Sequence, residues 1–227
     1  MRLTGQAVAG LEKLYASRWF EHKKDHEDLF VEQYMPAPDP TAVETGTLVE
    51  IAAQEVEDPW SAARRAHMVA IGQAEKSVWI QSPYFVPDEP LITAMCAAAA
   101  SGIDVRFMMT GVPDKKIPFY AAQAYYPQLL RSGVKVYQYK AGFLHAKTVT
   151  VDDQLSIIGT CNWDIRSFIL HDEVVSVFYD RGVATNYGDQ YERDIQDCIQ
   201  ITEADLAKLT RGERFRNSCY RLFSRLL

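Results

Sequence analysis

His145 and Lys147 stand two residues apart in the stretch GFLHAKTVTVDDQLSIIGTCNWD, residues 142–164, and Asn162 closes it after a run rich in β-branched residues. On an extended chain, side chains two apart project to the same side, so an imidazole and an ammonium would there meet one oxyanion. A neutral imidazole attacks phosphorus or carries a proton, a lysine offsets phosphate charge, and an asparagine amide adds a neutral donor.

Gly159 and Thr160 precede Asn162, and a small residue at that point would let the backbone approach a bound phosphate. Glu173 opens the strand-like run EVVSVFY and is its only acid. A carboxylate at the start of a buried strand needs a partner, and the N–H of His145 would serve, fixing the tautomer of the ring. Asp152 lies seven residues from His145, an odd number that a continuous strand would send to the opposite face, so the spacing gives it a structural role in the hairpin.

These groups need a sheet to hold them. Strands are expected at Leu48–Ala53, Ser77–Ser82, Ile103–Thr110 and Val134–Tyr139, alternating with helices at Trp60–Ala74, Pro90–Ala100 and Ile117–Arg131. Three further strands follow without long helices between them, Leu144–Val151, Leu155–Gly159 and Glu173–Tyr179, the first two joined through Asp152 and Asp153. The pattern predicts an α/β fold with a mixed sheet flanked by helices on both faces. Apolar spacing from Val8 to Tyr34 predicts one or more helices ahead of the proline-rich segment MPAPDP, and residues after Val183 read as helical.

Composition narrows the class. With 48 % apolar and 24 % charged residues, the 227-residue chain reads as an ordinary globular protein with a real core. A formal net charge of −6 weighs against a nucleic-acid partner. The four cysteines show neither CxxC nor metal-ligand spacing, which reads as reduced thiols facing a cytosol rather than as a zinc site or disulfides. No apolar run approaches a membrane span, and the first residues lack a signal-peptide core.

The pattern H-x-K-x(4)-D-x(6)-G-[ST]-x-N, carried by His145, Lys147, Asp152, Gly159, Thr160 and Asn162, resembles the HKD motif of the phospholipase D superfamily. The segments SPYFVPDEPLITAM, VPDKKIPFYAAQAYYPQLLRSGVKVYQYKAGFLHAKTV and NWDIRSFILHDEVVSVFYDR are similar to the second half of bacterial cardiolipin synthases. The likeness runs from about Met1 to Leu209 and is most specific from Ser82 to Arg181. Thr160 and Cys161 stand where the family often has serine and alanine.

The resemblance implies a phospholipase D-like fold in which two HKD motifs, one per half, share a site and transfer a phosphatidyl group through a phosphohistidine, with no metal or other cofactor. It counts Asp152 with His145 and Lys147 among the catalytic residues, gives phosphate binding to Lys147, Gly159, Thr160 and Asn162, and suggests an acyl or headgroup pocket near Tyr84, Phe85, Tyr125 and Tyr126. Residue type alone places those aromatics in the core. Glu173 would support His145.

The other H-x-K, His22 to Lys24, has Leu29 and Pro36 where the motif requires Asp and Gly, and reads as a solvated helix face. The implied arrangement is therefore a helical remnant of a preceding half plus a linker over residues 1–45, one HKD half-domain over 46–183, and a helical segment over 184–227. The partners implied are phosphatidylglycerol, a membrane surface on the cytoplasmic face of a bacterial inner membrane, and either a missing first half or a second copy of this chain. The implied reaction converts two phosphatidylglycerol molecules to cardiolipin and glycerol. The alternatives are a homodimeric single-motif phosphodiesterase or nuclease, and a catalytically silent docking fragment. The tail RGERFRNSCYRLFSRLL carries five arginines, with Phe215, Cys219, Leu222, Phe223 and Leu226 at helical spacing, which suits either contact with anionic lipid or packing between domains.

Overall fold

The computed structural model describes residues 3–22, 46–56 and 61–222. Within them an eight-stranded mixed sheet runs in the order β1-β9-β7-β6-β2-β4-β5-β10. Its strands are β1 (Val49–Gln54), β2 (Ser77–Gln81), β4 (Asp104–Thr110), β5 (Lys135–Tyr139), β6 (Thr148–Val151), β7 (Leu155–Gly159), β9 (Glu173–Phe178) and β10 (Cys198–Ile201). β2, β4 and β5 are parallel neighbours; every other pairing in the sheet is antiparallel. A separate two-stranded pair joins β3 (Phe85–Val86) to β8 (Trp163–Asp164).

Alternation along the strands assigns the two faces. Val78 and Ile80 of β2, with Val105, Phe107 and Met109 of β4, enter the larger core. That core is roofed by α2 (Ala62–Gly72), α3 (Glu89–Ala100) and α5 (Tyr126–Arg131), with α4 (Lys116–Gln123) beside them. Trp79 and Met108, one residue out of phase, face the smaller cluster with Tyr191 of α6 (Arg181–Ile195). Helices therefore cover both faces, as the sequence pattern requires. α1 (Gln6–His22) packs on β1, where its Gly10 meets Ile51.

Several boundaries differ from the sequence reading for identifiable reasons. The helix expected over Ile117–Arg131 is two, α4 and α5, because Pro127 cannot donate to the carbonyl of Gln123. The segment 184–227 is not helical throughout. Its α6 begins at Arg181 and packs on β6 and β7, β10 extends the sheet beside β5, and α7 (Glu203–Lys208) and α8 (Arg211–Leu222) follow, α8 lying on α4. CIQI, a four-residue half-exposed edge strand, is too short to announce itself. The expected helix up to Tyr34 is described only as far as His22; the MPAPDP linker and most of the second H-x-K lie outside the described residues.

Candidate active site

The strand expected over Leu144–Val151 begins only at Thr148, so His145 and Lys147 sit on an extended segment leading into β6 rather than inside the sheet. β6 pairs with β7 from Thr148–Ile158 to Val151–Leu155, which brings the residues before β6 beside those after β7. The backbone N–H of Gly159 donates to the Lys147 carbonyl at 3.3 Å. On the other side of β7, Gly159 pairs with Val175 of β9, so Glu173 lies at the same end of the sheet. That end is also where parallel β2 and β4 finish, the usual location of ligand sites in α/β sheets.

His145 is exposed and stacks on Phe143 at 5.6 Å between centroids. The Lys147 ammonium donates to His145 Nε2 at 3.1 Å and to the His145 carbonyl at 3.1 Å. An ammonium has no acceptor, so this contact requires the lone pair on Nε2 and the neutral ring's proton on Nδ1. Burial pushes the Lys147 pKa down, against the upward pull of Glu173, Asp164 and Cys161.

Glu173 is not the hydrogen-bond partner of His145 that its position suggested. Its carboxylate accepts from the Thr160 hydroxyl and lies 3.9 Å from Nδ1 of His171. Thr160 Oγ1 in turn accepts from the backbone N–H of Val174 at 3.1 Å, so this side chain clips the end of β7 to the start of β9. Gly159 has a steric reason to be small. A Cβ there would lie 2.2 Å from the Val174 carbonyl oxygen and 2.7 Å from Val175 Cα, inside the neighbouring strand.

Asn162 is held by the short β3–β8 pair and by Ser82, whose hydroxyl accepts from the Trp163 N–H at 3.0 Å. Its amide donates to Ser167 Oγ at 3.2 Å, while Oδ1 is buried without a hydrogen-bond partner. Ser167 belongs to a π-helical turn, Arg166–Leu170, a feature that concentrates at functional sites. Its N–H donates to Asp164 at 2.8 Å. Asp164 is buried, and desolvation raises its pKa. The sequence reading passed over both Asp164 and His171. The signal for each was an ionisable residue flanking a motif position, in NWD and in HDE.

Asp152 lies at the far end of β6 from Lys147. Asp152 and Asp153 both have positive φ, 55° and 53°, as the tight hairpin turn requires. The Asp152 carboxylate accepts from the backbone N–H groups of Glu75, Lys76 and Ser77 at 2.7, 2.8 and 2.7 Å. It anchors the hairpin to the start of β2, away from the imidazole. Of the aromatics considered for a pocket, Phe85, Tyr125 and Tyr126 are core residues, and Tyr84 is half-buried with its hydroxyl on Asp114 at 2.6 Å. Among the described residues, no group of three His, Cys, Asp or Glu side chains converges on a point that would hold a metal ion.

An imidazole whose Nε2 faces the lysine ammonium and an amide on the next loop are thus gathered at one end of the sheet. Residues 68–195 match the family model described as cardiolipin synthase, PLD-like domain. The chain belongs to this phospholipase D-like family. It is 36 % identical over 225 residues to cardiolipin synthase 2 of Bacillus anthracis, which covers 99 % of this chain and 43 % of the relative. It is 33 % identical over 227 residues to the cardiolipin synthase of Clostridium perfringens, covering 100 % of this chain and 48 % of the relative. The chain thus spans less than half the length of these curated relatives.

Solved structures agree on the fold. Nuc from Salmonella typhimurium, a phospholipase D family member, superposes with a TM-score of 0.60 at 18 % identity, over 69 % of this chain and 99 % of its own. Phosphatidylserine synthase from Haemophilus influenzae gives 0.60 at 16 % identity, over 79 % of this chain and 48 % of its own. Within the described residues, no helix is long and apolar enough to cross a membrane.

Proposed function

We propose that this chain is the C-terminal, second-motif half of a phosphatidyltransferase that joins two phosphatidylglycerol molecules into cardiolipin and glycerol. The observation that carries the proposal is the contact between Lys147 Nζ and His145 Nε2 at the end of the sheet, within a family whose curated relatives are named cardiolipin synthases. In this reading substrate phosphate draws the Lys147 ammonium away from His145 Nε2, His145 enters the step protonated, and an imidazole of the first half attacks phosphorus as the bond to glycerol breaks and glycerol leaves with the His145 proton. The glycerol hydroxyl of the second phosphatidylglycerol then returns that proton to His145 as it attacks the phosphohistidine, which frees the first imidazole.

Lys147 offsets charge on the phosphoryl oxygens, and its partial burial strengthens that interaction by excluding water. Rotating the Asn162 amide by half a turn would let Oδ1 accept from the Ser167 hydroxyl and free the amide as a donor to phosphate, which suits the unpartnered Oδ1. Glu173 keeps a negative charge near Lys147 and braces the β7–β9 junction through Thr160. Asp152 supports the hairpin.

A second reading is favoured by the Nuc comparison, because the matched region makes up nearly all of that protein's chain. A single domain of this type then exists as a complete polypeptide, and two copies of His145 would share one site. Turnover of labelled phosphatidylglycerol in mixed micelles, with the mass measured by light scattering, separates the two. Cardiolipin formed only after a first-motif half is added supports the half-enzyme. Cardiolipin formed by a dimer of the chain alone supports the symmetric site. Replacing His145 with alanine should lower either rate by about 10²–10⁴-fold, the usual worth of a general acid and base. Undiminished turnover would overturn both.

A further inference from the structure

α8 lies on α4 through an inward face. Asn217 is buried and donates to Gln123 at 3.1 Å, the Arg216 guanidinium covers the Tyr120 ring at 3.8 Å, and Tyr220 stacks on the same ring at 5.7 Å. Its outward stripe, at helical spacing, is Arg211, Phe215, Ser218 and Leu222, all exposed, flanked by Arg214, which donates to the Leu206 carbonyl at 2.9 Å, and by Arg221, exposed with its guanidinium over the Tyr125 ring at 4.4 Å. Leu222 at 83 % and Phe215 at 72 % are the two most exposed large apolar side chains among the described residues. A helix satisfied on its inner face would ordinarily show water a polar outer one; this one shows arginine alternating with phenylalanine and leucine.

Charge is distributed in the same sense. The chain carries a net −6, yet α8 holds four arginines against Glu213 alone, and Glu213 is engaged with Thr210. Across a cleft of about 870 Å³ from Arg221 and Leu222 stands the π-helical turn, with Ile169 and Leu170 each 47 % exposed; the cleft wall also carries Asp88, paired with Arg64, and Glu89. The same turn supplies Ser167 to Asn162 and Asp164, so this apolar and basic surface borders the phosphate-binding end of the sheet.

We propose that the outward stripe of α8 and the apolar tip of the π-helical turn form a docking surface for an anionic phospholipid bilayer. Phe215, Leu222, Ile169 and Leu170 enter the acyl boundary while Arg211 and Arg221 meet phosphate headgroups, the arrangement of an interfacial amphipathic helix. The inference deepens the phosphatidyl-transfer reading and rests on it for the choice of lipid. It sets the substrate's headgroup plane beside Asn162 rather than requiring a lipid to leave the bilayer.

The test is flotation of the chain with vesicles of phosphatidylcholine alone and of phosphatidylcholine mixed with phosphatidylglycerol, without any turnover readout. Binding is expected only to the mixed vesicles and should weaken as salt screens the arginines. Phe215→Ser with Leu222→Ser should lower the partition coefficient on the order of 10- to 100-fold, and Arg211→Gln with Arg221→Gln about 30-fold. All four positions are exposed and Arg221 covers the Tyr125 ring at 4.4 Å, so the melting temperature should hold for the Phe215 and Leu222 pair and fall by about 4 °C at most for the arginine pair, which guards against misfolding. His145→Ala should bind as the unaltered chain does, because the imidazole is not part of the surface; an unaltered chain that binds these vesicles yet transfers no phosphatidyl group in the separate micelle assay would refute the reaction and not the surface. Equal binding to neutral vesicles, or stripe variants that bind like the unaltered chain, would overturn the proposal. So would stripe variants that lose association with a first-motif half while still binding vesicles, since a polypeptide would then cover the face.

Discussion

Replacing Gly159 with alanine tests whether the motif glycine serves the sheet. The added Cβ would sit 2.2 Å from the Val174 carbonyl oxygen, more than an ångström inside normal contact, and 2.7 Å from Val175 Cα. Both obstacles are backbone, so no side chain can turn aside. β7 and β9 must separate locally, which strains the Thr160 N–H to Val174 carbonyl bond at 3.0 Å. Overpacking costs about 1–3 kcal/mol and a weakened hydrogen bond about 1 kcal/mol, against about 0.4–1 kcal/mol gained by stiffening the unfolded chain. The net loss of about 1–3.5 kcal/mol corresponds to a fall in melting temperature of roughly 2–14 °C for a chain of this size. Urea unfolding followed by tryptophan fluorescence reads it, because Trp163 is buried just beyond the loop. Gly142→Ala is the matched control; its Cβ meets nothing within 4 Å, and stability should hold or rise slightly. A Gly159→Ala protein within about 0.5 kcal/mol of the unaltered chain would refute the steric argument and return the glycine to a direct role at phosphate.

Asp152→Ala should cost about 2–3 kcal/mol of stability by leaving three backbone N–H groups of residues 75–77 without their acceptor, while turnover per folded molecule in the reconstituted system stays within about twofold. Urea titration beside the micelle assay checks both halves of that statement. His67 is fully buried against Trp163 and Phe168, its Nδ1 on the Ala63 carbonyl at 2.7 Å, and burial lowers its pKa to about 4. Between that value and the unfolded value near 6.5 the unfolded chain binds the extra proton, so stability is full above about pH 6.5 and falls as pH drops towards 4, by roughly 3 kcal/mol in all. Urea midpoints at pH 7 and pH 5 should differ markedly in the unaltered chain and less in His67→Phe; an unchanged difference would acquit His67.

The central strands were legible because their apolar runs are long and bounded by turn residues. The β2, β4 and β5 boundaries fell within a residue of expectation, and Asp152–Asp153 marked the hairpin. That His145, Lys147 and Asn162 share one end of the sheet was legible because a motif fixes type and spacing together. What the sequence hid is three-dimensional pairing. The carboxylate of Glu173 had two reachable partners, and only the β7–β9 register decides for Thr160 over His145. The extended segment through His145 and Lys147 looks like strand by composition yet has one backbone bond, from the Gly159 N–H to the Lys147 carbonyl, before regular pairing starts where Thr148 meets Gln81 and Ile158. β10 escaped notice because an edge strand with one half-buried face carries little periodic signal.

The hairpin that bears the site has a kinetic meaning as well. β6 and β7 meet through a loop of a few residues, the smallest closure in the sheet, whereas β1 can reach β9 only by joining Val49 to Phe178 across most of the chain. His145, Lys147 and Asn162 are therefore brought together by a local closure of low entropic cost, whereas the sheet's outer edge depends on a contact of high sequence separation. Glu173 sits where the two regimes meet, on the strand that pairs with both. A phosphate gripped across the start of β6 and the end of β7 would thus stiffen the early-forming nucleus and leave the late-closing edge free to breathe.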